Sequence, residues 1–99
     1  MITASDFREI TKNTLRGFCV LTLSPSGLVL RDCALHDRDG KRWVSLPSKP
    51  QIDSAGQLRK APNSGKPLYA SIVEIPGRAE RERFQRAALA AIDALRGRP

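Results

Sequence analysis

The chain has 99 residues, 40% hydrophobic and 27% charged, a composition that fits one folded domain and excludes wholesale disorder. Seventeen Lys and Arg against ten Asp and Glu leave a formal charge of +7, a balance that attracts polyanions, with nucleic acid the usual one. No apolar run approaches the roughly 18 residues of a membrane span, and the N-terminus lacks a basic head followed by an apolar core, so the expectation is a cytoplasmic protein with no membrane partner.

A domain of this size buries one modest core and gains from further burial in an oligomer, so a homodimer is expected. Residues 5–14 fit two patterns. The Asp6 to Glu9 spacing with Phe7 and Ile10 suits a short helix, while the alternation of Phe7, Glu9 and Thr11 with Arg8, Ile10 and Lys12 suits a charged edge strand. The strand is preferred because sheet follows. Residues 15–23, LRGFCVLTL, are β-rich, and Ser24-Pro25-Ser26-Gly27 is a turn signal leading into Leu28-Val29-Leu30.

The third strand runs through Leu35 to the Arg38-Asp39-Gly40 turn, which reverses it into Trp43-Val44-Ser45-Leu46. A three-residue loop with a bulge at Gly40 sets Leu35 across from Trp43 and Ala34 across from Val44. That register puts Leu28, Leu30, Ala34, Val44 and Leu46 on one face, and Val29, Cys33, Leu35 and Trp43 on the other. Both faces then carry apolar groups, so one is expected under a helix and the other against a second subunit or a ligand.

After Pro47 the composition changes. Residues 47–67, PSKPQIDSAGQLRKAPNSGKP, form a basic Pro/Gly-rich loop in which Gly56 suggests a small local hairpin. Residues 68–75 read as a further strand, stopped by Pro76-Gly77. Residues 78–96 read as a helix with Phe84, Ala87, Ala88, Ala91, Ile92 and Leu95 on one stripe and Gly97 and Pro99 marking its end. Leu89 falls off that stripe. The fold class is therefore α+β: a single domain, residues 1–99, holding a β-meander (1–46), the loop, the strand and the helix, with a twisted antiparallel sheet of four to five strands.

Chemistry-bearing patterns are few. Cys19 and Cys33 lack metal-site spacing and sit in apolar runs, so they read as buried reduced thiols. His36, the one histidine, reads as a surface or turn residue. No phosphate loop, HExxH or nucleophile elbow is present, so no enzyme activity, metal or cofactor is expected. On the helix, Glu80 and Glu82 interleave with Arg78, Arg81, Arg83 and Arg86, and Glu82–Arg86 is a favourable pair, which describes a solvated face. The loop and turn cations are less compensated: Arg38, Lys41, Arg42, Lys49, Arg59, Lys60 and Lys66 are the candidate contacts to a phosphate backbone. Trp43 and Tyr69 are the available stacking rings, although for Trp43 packing under the helix or a partner is the preferred reading.

A strand running into Asp32, the Asp39-Gly40 turn, the Trp43-Val44 pair, Leu46-Pro47-Ser48-Lys49 and Gly56-Gln57-Leu58-Arg59 together resemble the stage V sporulation protein G (SpoVG) family over roughly residues 5–60. The resemblance implies a small β-rich protein with a helix after the sheet, dimeric through strand contacts, that binds DNA or RNA and acts in regulation. It carries Lys49 over as a contact. The chain departs from that pattern at Leu68 to Ile75, where an apparent strand precedes the helix. The sequence reading is a nucleic-acid-binding regulatory homodimer, single-stranded or duplex target unresolved. The alternative is a protein-interaction module that docks an acidic partner on its basic surface.

Overall fold

The structure, a computed structural model, describes residues 1–97. β1 (Ile2–Lys12), β2 (Leu15–Leu23), β3 (Leu28–Arg38) and β4 (Lys41–Ser45) form a four-stranded antiparallel meander in chain order. β5 (Ser48–Pro50) and β6 (Tyr69–Ser71) pair in a separate small sheet, and α1 spans Arg78–Leu95. The α+β class, the antiparallel sheet and the C-terminal helix are as the sequence indicates.

The β3–β4 turn differs from expectation by one residue. Asp39 and Gly40 have φ of 54° and 88°, so both central residues are left-handed, as a two-residue type I′ hairpin requires. Asp tolerates that conformation, and the Gly40 N–H donates to Asp37 Oδ1 at 3.0 Å. No third loop residue or bulge is needed. Arg38 therefore faces Lys41, His36 faces Trp43, and Leu35 faces Val44. A one-residue slip exchanges the two faces of a strand. Val44 thus joins Cys33 and Leu35, and Trp43 lies on the opposite side with Ala34, correcting both face assignments made from sequence.

Four register shifts interrupt the β1–β2 and β2–β3 ladders, at Ser5/Arg8, Glu9/Lys12, Leu15/Gly17 and Cys19/Leu21, and two of them carry a left-handed aspartate. Between Ser5 and Arg8, β1 takes one more residue than β2, and between Leu30 and Cys33, β3 does the same. Asp6 (φ 52°) and Asp32 (φ 58°) occupy the left-handed positions of these bulges. The second bulge lets Leu30 and Cys33 share a face despite their odd spacing.

The core lies between that face and α1. Ala4, Cys19, Leu21, Leu30, Cys33, Leu35 and Val44 pack with Phe84, Ala88 and Ile92, all buried. Each fully buried Leu or Ile contributes about 1.5–3 kcal/mol through removal of apolar surface from water. Leu95, expected on the buried stripe, is exposed, whereas Leu89, expected off it, packs against the core. Cys19 and Cys33 face each other across β2 and β3 as free thiols. Burial raises both, and Cys33, with Cys19 and Asp32 adding to the effect, is pushed up to about 12. Neither is poised as a nucleophile.

The helix also closes the β4 edge. Val44 N–H donates to Gln85 Oε1 at 2.8 Å and Gln85 Nε2 donates to the Val44 carbonyl at 2.8 Å, so one amide side chain satisfies both outward backbone groups as a neighbouring strand would. Two turns on, Arg42 makes two hydrogen bonds to Asp93, at 2.7 and 2.9 Å. At the far end the Arg96 guanidinium lies 4.5 Å from the Phe7 ring centroid. Phe7 in turn covers Gly17, where a Cβ would come within 2.5 Å of the ring. Gly97 (φ 71°) follows the last turn. Pro99, the other expected stop signal, lies outside the described residues.

Residues 47–67 are not an irregular loop. Gln51 N–H donates to the Leu68 carbonyl, Leu68 N–H to that of Arg59, and Arg59 N–H to that of Gln51, at 2.8, 2.9 and 2.9 Å. This ring of backbone hydrogen bonds joins the β5–β6 stem to two short hairpins, one bridged at Ile52 and Leu58 and the other at Lys60 and Pro67. The expected 68–75 strand is only Tyr69–Ser71 and pairs with β5, because the junction draws it away from the main sheet. The three-way unit projects as an arm. The radius of gyration is 15.0 Å, against about 13 Å for a compact chain of this length.

The Gln85 clamp predicts that Gln85→Leu, which leaves the Val44 backbone groups without their partner, lowers unfolding free energy by about 1–3 kcal/mol. Urea denaturation measures this, and Arg86→Leu on the exposed side should change it by less than about 0.5 kcal/mol.

Candidate nucleic-acid interface

The seven candidate cations occupy three different environments. Arg42 stands apart from the other six: its alternation places it on the helix side, where it pairs with Asp93. The hydrogen bond to Asp93 holds its guanidinium above the usual arginine range against the opposing effect of burial. Helical Arg78 and Arg83 are likewise engaged, with Glu82 at 3.2 Å and Glu80 at 3.5 Å. Glu82 thus pairs with Arg78 rather than with the expected Arg86.

Arg38 and Lys41 face each other at the exposed tip of the β3–β4 hairpin. Lys49, Arg59, Lys60 and Lys66 belong to the arm. Lys49 lies in β5, and Arg59 sits at the junction with its guanidinium donating to Gln51 Oε1 at 3.2 Å. These two line a shallow groove of about 400 Å³ with Pro50, Gln51, Ile52 and Ala70. Lys60 and Lys66 are on the second hairpin, where Ala61 N–H donates to the Lys66 carbonyl at 2.9 Å. Among the described residues, none of these hairpin and arm cations makes an ion pair.

The hairpin tip continues into a surface that the sequence reading missed. Paired residues on neighbouring strands share a face. Lys12, Leu15, His36 and Trp43 therefore form one row across the sheet, and Arg8, Phe18, Ala34 and Ser45 form the next, all turned away from the helix. Arg38 and Lys41 share this side, one alternation beyond His36 and Trp43. The His36 and Trp43 rings are stacked with centroids 5.2 Å apart and planes 6° from parallel. His36 is thus neither a turn residue nor loosely exposed: it is half-buried in β3, and its Nδ1 shares a 2.9 Å hydrogen bond with the Thr14 hydroxyl. Burial lowers its pKa, so the ring is neutral at pH 7.

The same face carries a depression beside Val20 lined by Asp6, Arg8, Arg31 and Asp32, where Arg8 and Asp32 approach to 3.6 Å. Both partners are largely exposed, so this contact adds little stability. Counting alternation from the Asp39-Gly40 turn as a two-residue hairpin would have identified the His36–Trp43 pair. The bulges at Asp6 and Asp32 carry no comparable sequence signal.

A more voluminous cleft, about 630 Å³, lies elsewhere, between β4, residues 69–76 and the start of α1. Its walls include Val44, Leu46, Val73, Ile75 and Phe84, and its arginine, Arg81, donates to the carbonyls of Ile75 and Pro76 at 3.1 and 2.6 Å. Among the described residues no group of three or more His, Cys, Asp or Glu could hold a metal ion, and no helix is long and apolar enough to cross a membrane. No family model, curated protein or solved structure matches this chain.

His36 supplies a pH test. Its folded pKa lies below the ordinary 6.5, so the unfolded chain takes up a proton more readily. The stability from keeping the ring neutral is fully present above pH 6.5 and is lost as pH falls through the folded value. An NMR titration of the imidazole should give a midpoint below 6.5, and His36→Gln should flatten the stability profile in that window.

Proposed function

We propose that this chain is a nucleic-acid-binding protein of the cytoplasm, regulatory in role and working as a homodimer. The observation that carries the reading is the division of positive charge. The arginines of α1 and Arg42 are largely engaged by acids or carbonyls, while Arg38, Lys41, Lys49, Arg59, Lys60 and Lys66 have no ion-pair partner among the described residues and stand on a hairpin tip and a projecting arm. Unpaired cations on exposed backbone are suited to phosphates, whose condensed counterions they release on binding. The SpoVG-like residues from Asp32 to Arg59 support the same reading, and Lys49, the contact that resemblance implies, lies in the groove with Arg59.

The arm supports the dimer. Ile52, Leu58, Tyr69 and Ile72 are each about half or more exposed on it, an apolar set that a second copy of the chain would cover. The β4 edge is closed by Gln85, and β1 is interrupted by its bulges, which leaves neither long edge well suited to simple strand addition.

Three measurements test the proposal. Affinity for labelled oligonucleotides should fall by about 10³ between roughly 50 and 200 mM salt if about six cations reach phosphates. Lys49→Glu, Arg59→Glu and Lys60→Glu together should weaken binding at least about tenfold with an unchanged circular dichroism spectrum. Absence of binding to any oligonucleotide at low salt contradicts the reading. Sedimentation should show a dimer that Ile52→Glu with Leu58→Glu converts to monomer, and a wild-type monomer at high concentration would refute the dimer.

A further inference from the structure

We infer that the sheet face turned away from α1 is a stacking platform for unpaired bases, so that the nucleic acid this protein takes is single-stranded; this rests on the proposed nucleic-acid function and adds the place where bases are held. Among the described residues α1 packs on the sheet from the other side, and β5 and β6 form a separate sheet. What the open face carries is specific. His36 and Trp43 are already stacked, with planes 6° apart, and β4 is the last strand of the sheet, so no strand stands beyond Trp43. A base added on that side extends an existing stack. Phe18 lies in the next row along the sheet, about 7 Å away, and Arg38 and Lys41 lie about as far in the other direction. Lys12 ends the His36–Trp43 row at the β1 edge. Cations thus flank the rings on two sides, which is the combination that holds a flexible strand: stacking for bases and charge for the backbone.

Paired bases expose no ring faces, so a duplex can use the cations but not the stack. A second copy of the chain fits this face poorly. A two-fold contact pairs the patch with itself, and the acids this face carries, Asp6 and Asp32, lie beside Arg8 and Arg31 rather than near Arg38, Lys41 and Lys12. Charge complementarity therefore selects a polyanion.

Trp43 is the only tryptophan, so its emission reports on the platform directly. The full chain is titrated with an oligothymidylate of about 12 nucleotides and with a duplex of equal length, a site size within the usual range for single-strand modules. Binding is followed by Trp43 fluorescence and by anisotropy of the labelled oligonucleotide. The single strand should quench Trp43 and bind at least tenfold tighter than the duplex. Trp43→Ala should weaken single-strand binding about 10- to 100-fold, and Trp43→Phe, which keeps a ring, should lie within about threefold of wild type. If Trp43→Ala fails to fold, Arg38→Glu with Lys41→Glu at the exposed tip should give at least a tenfold loss instead.

Equal binding of both oligonucleotides with unchanged Trp43 emission overturns the platform while leaving the nucleic-acid function standing. Absence of binding to either removes both. An emission shift on dilution without oligonucleotide shows that a second copy covers the face, and also overturns the inference.

Discussion

The two left-handed residues at Asp39 and Gly40 decide which side of the sheet every later residue of the meander occupies. A two-residue type I′ turn matches the twist of the strands it joins and leaves no register freedom. Val44 is thereby delivered to the helix and Trp43 to the open side. A longer turn would place the indole beneath α1 and leave the Val44 side chain against water. The bulge at Asp32 serves the same end upstream, because it keeps Leu30, Cys33 and Leu35 on one face although their spacing is uneven.

Once the faces are sorted, the helix has one place to dock. Its buried stripe of Phe84, Ala88 and Ile92 packs on the apolar face, while Gln85 and Asp93, eight residues apart, hold the backbone of Val44 and the side chain of Arg42. The contacts serve burial, edge protection and charge pairing at once. A consequence for function is that positive charge near the helix is largely used internally. The free cations remain on the hairpin tip, the open face and the arm, where side chains meet solvent and a polyanion can reach them.

Much of this arrangement can be read from residue order, and the remainder is obscured for physical reasons. The strands and the helix announce themselves through β-branched runs, turn residues and the alanine-rich stripe. The faces do not, because alternation holds only between bulges, and an aspartate in the left-handed region looks like any other aspartate in sequence. The arm is hidden for a different reason. Each of its hairpins has one backbone bridge and shares the ring of hydrogen bonds among Gln51, Arg59 and Leu68, which no apolar alternation announces, and the one side-chain mark on the first is Asp53, whose Oδ1 accepts from the Ala55 and Gln57 N–H groups. Arg38 and Lys41 were visible as turn cations beside a tryptophan. His36, Phe18 and Lys12 became members of the same surface only when register brought together residues far apart in the chain.

The central claim is that the molecule has a structural face and a binding face, separated by the sheet itself. Amide and indole chemical-shift mapping with a single-stranded oligonucleotide tests this most directly. The account predicts that the largest changes fall on the Trp43 indole N–H and on the backbone of Phe18, His36, Arg38 and Lys41, with smaller ones on the arm near Lys49 and Arg59. Changes concentrated on the exposed arginines of α1, with the Trp43 signal unmoved, would contradict it.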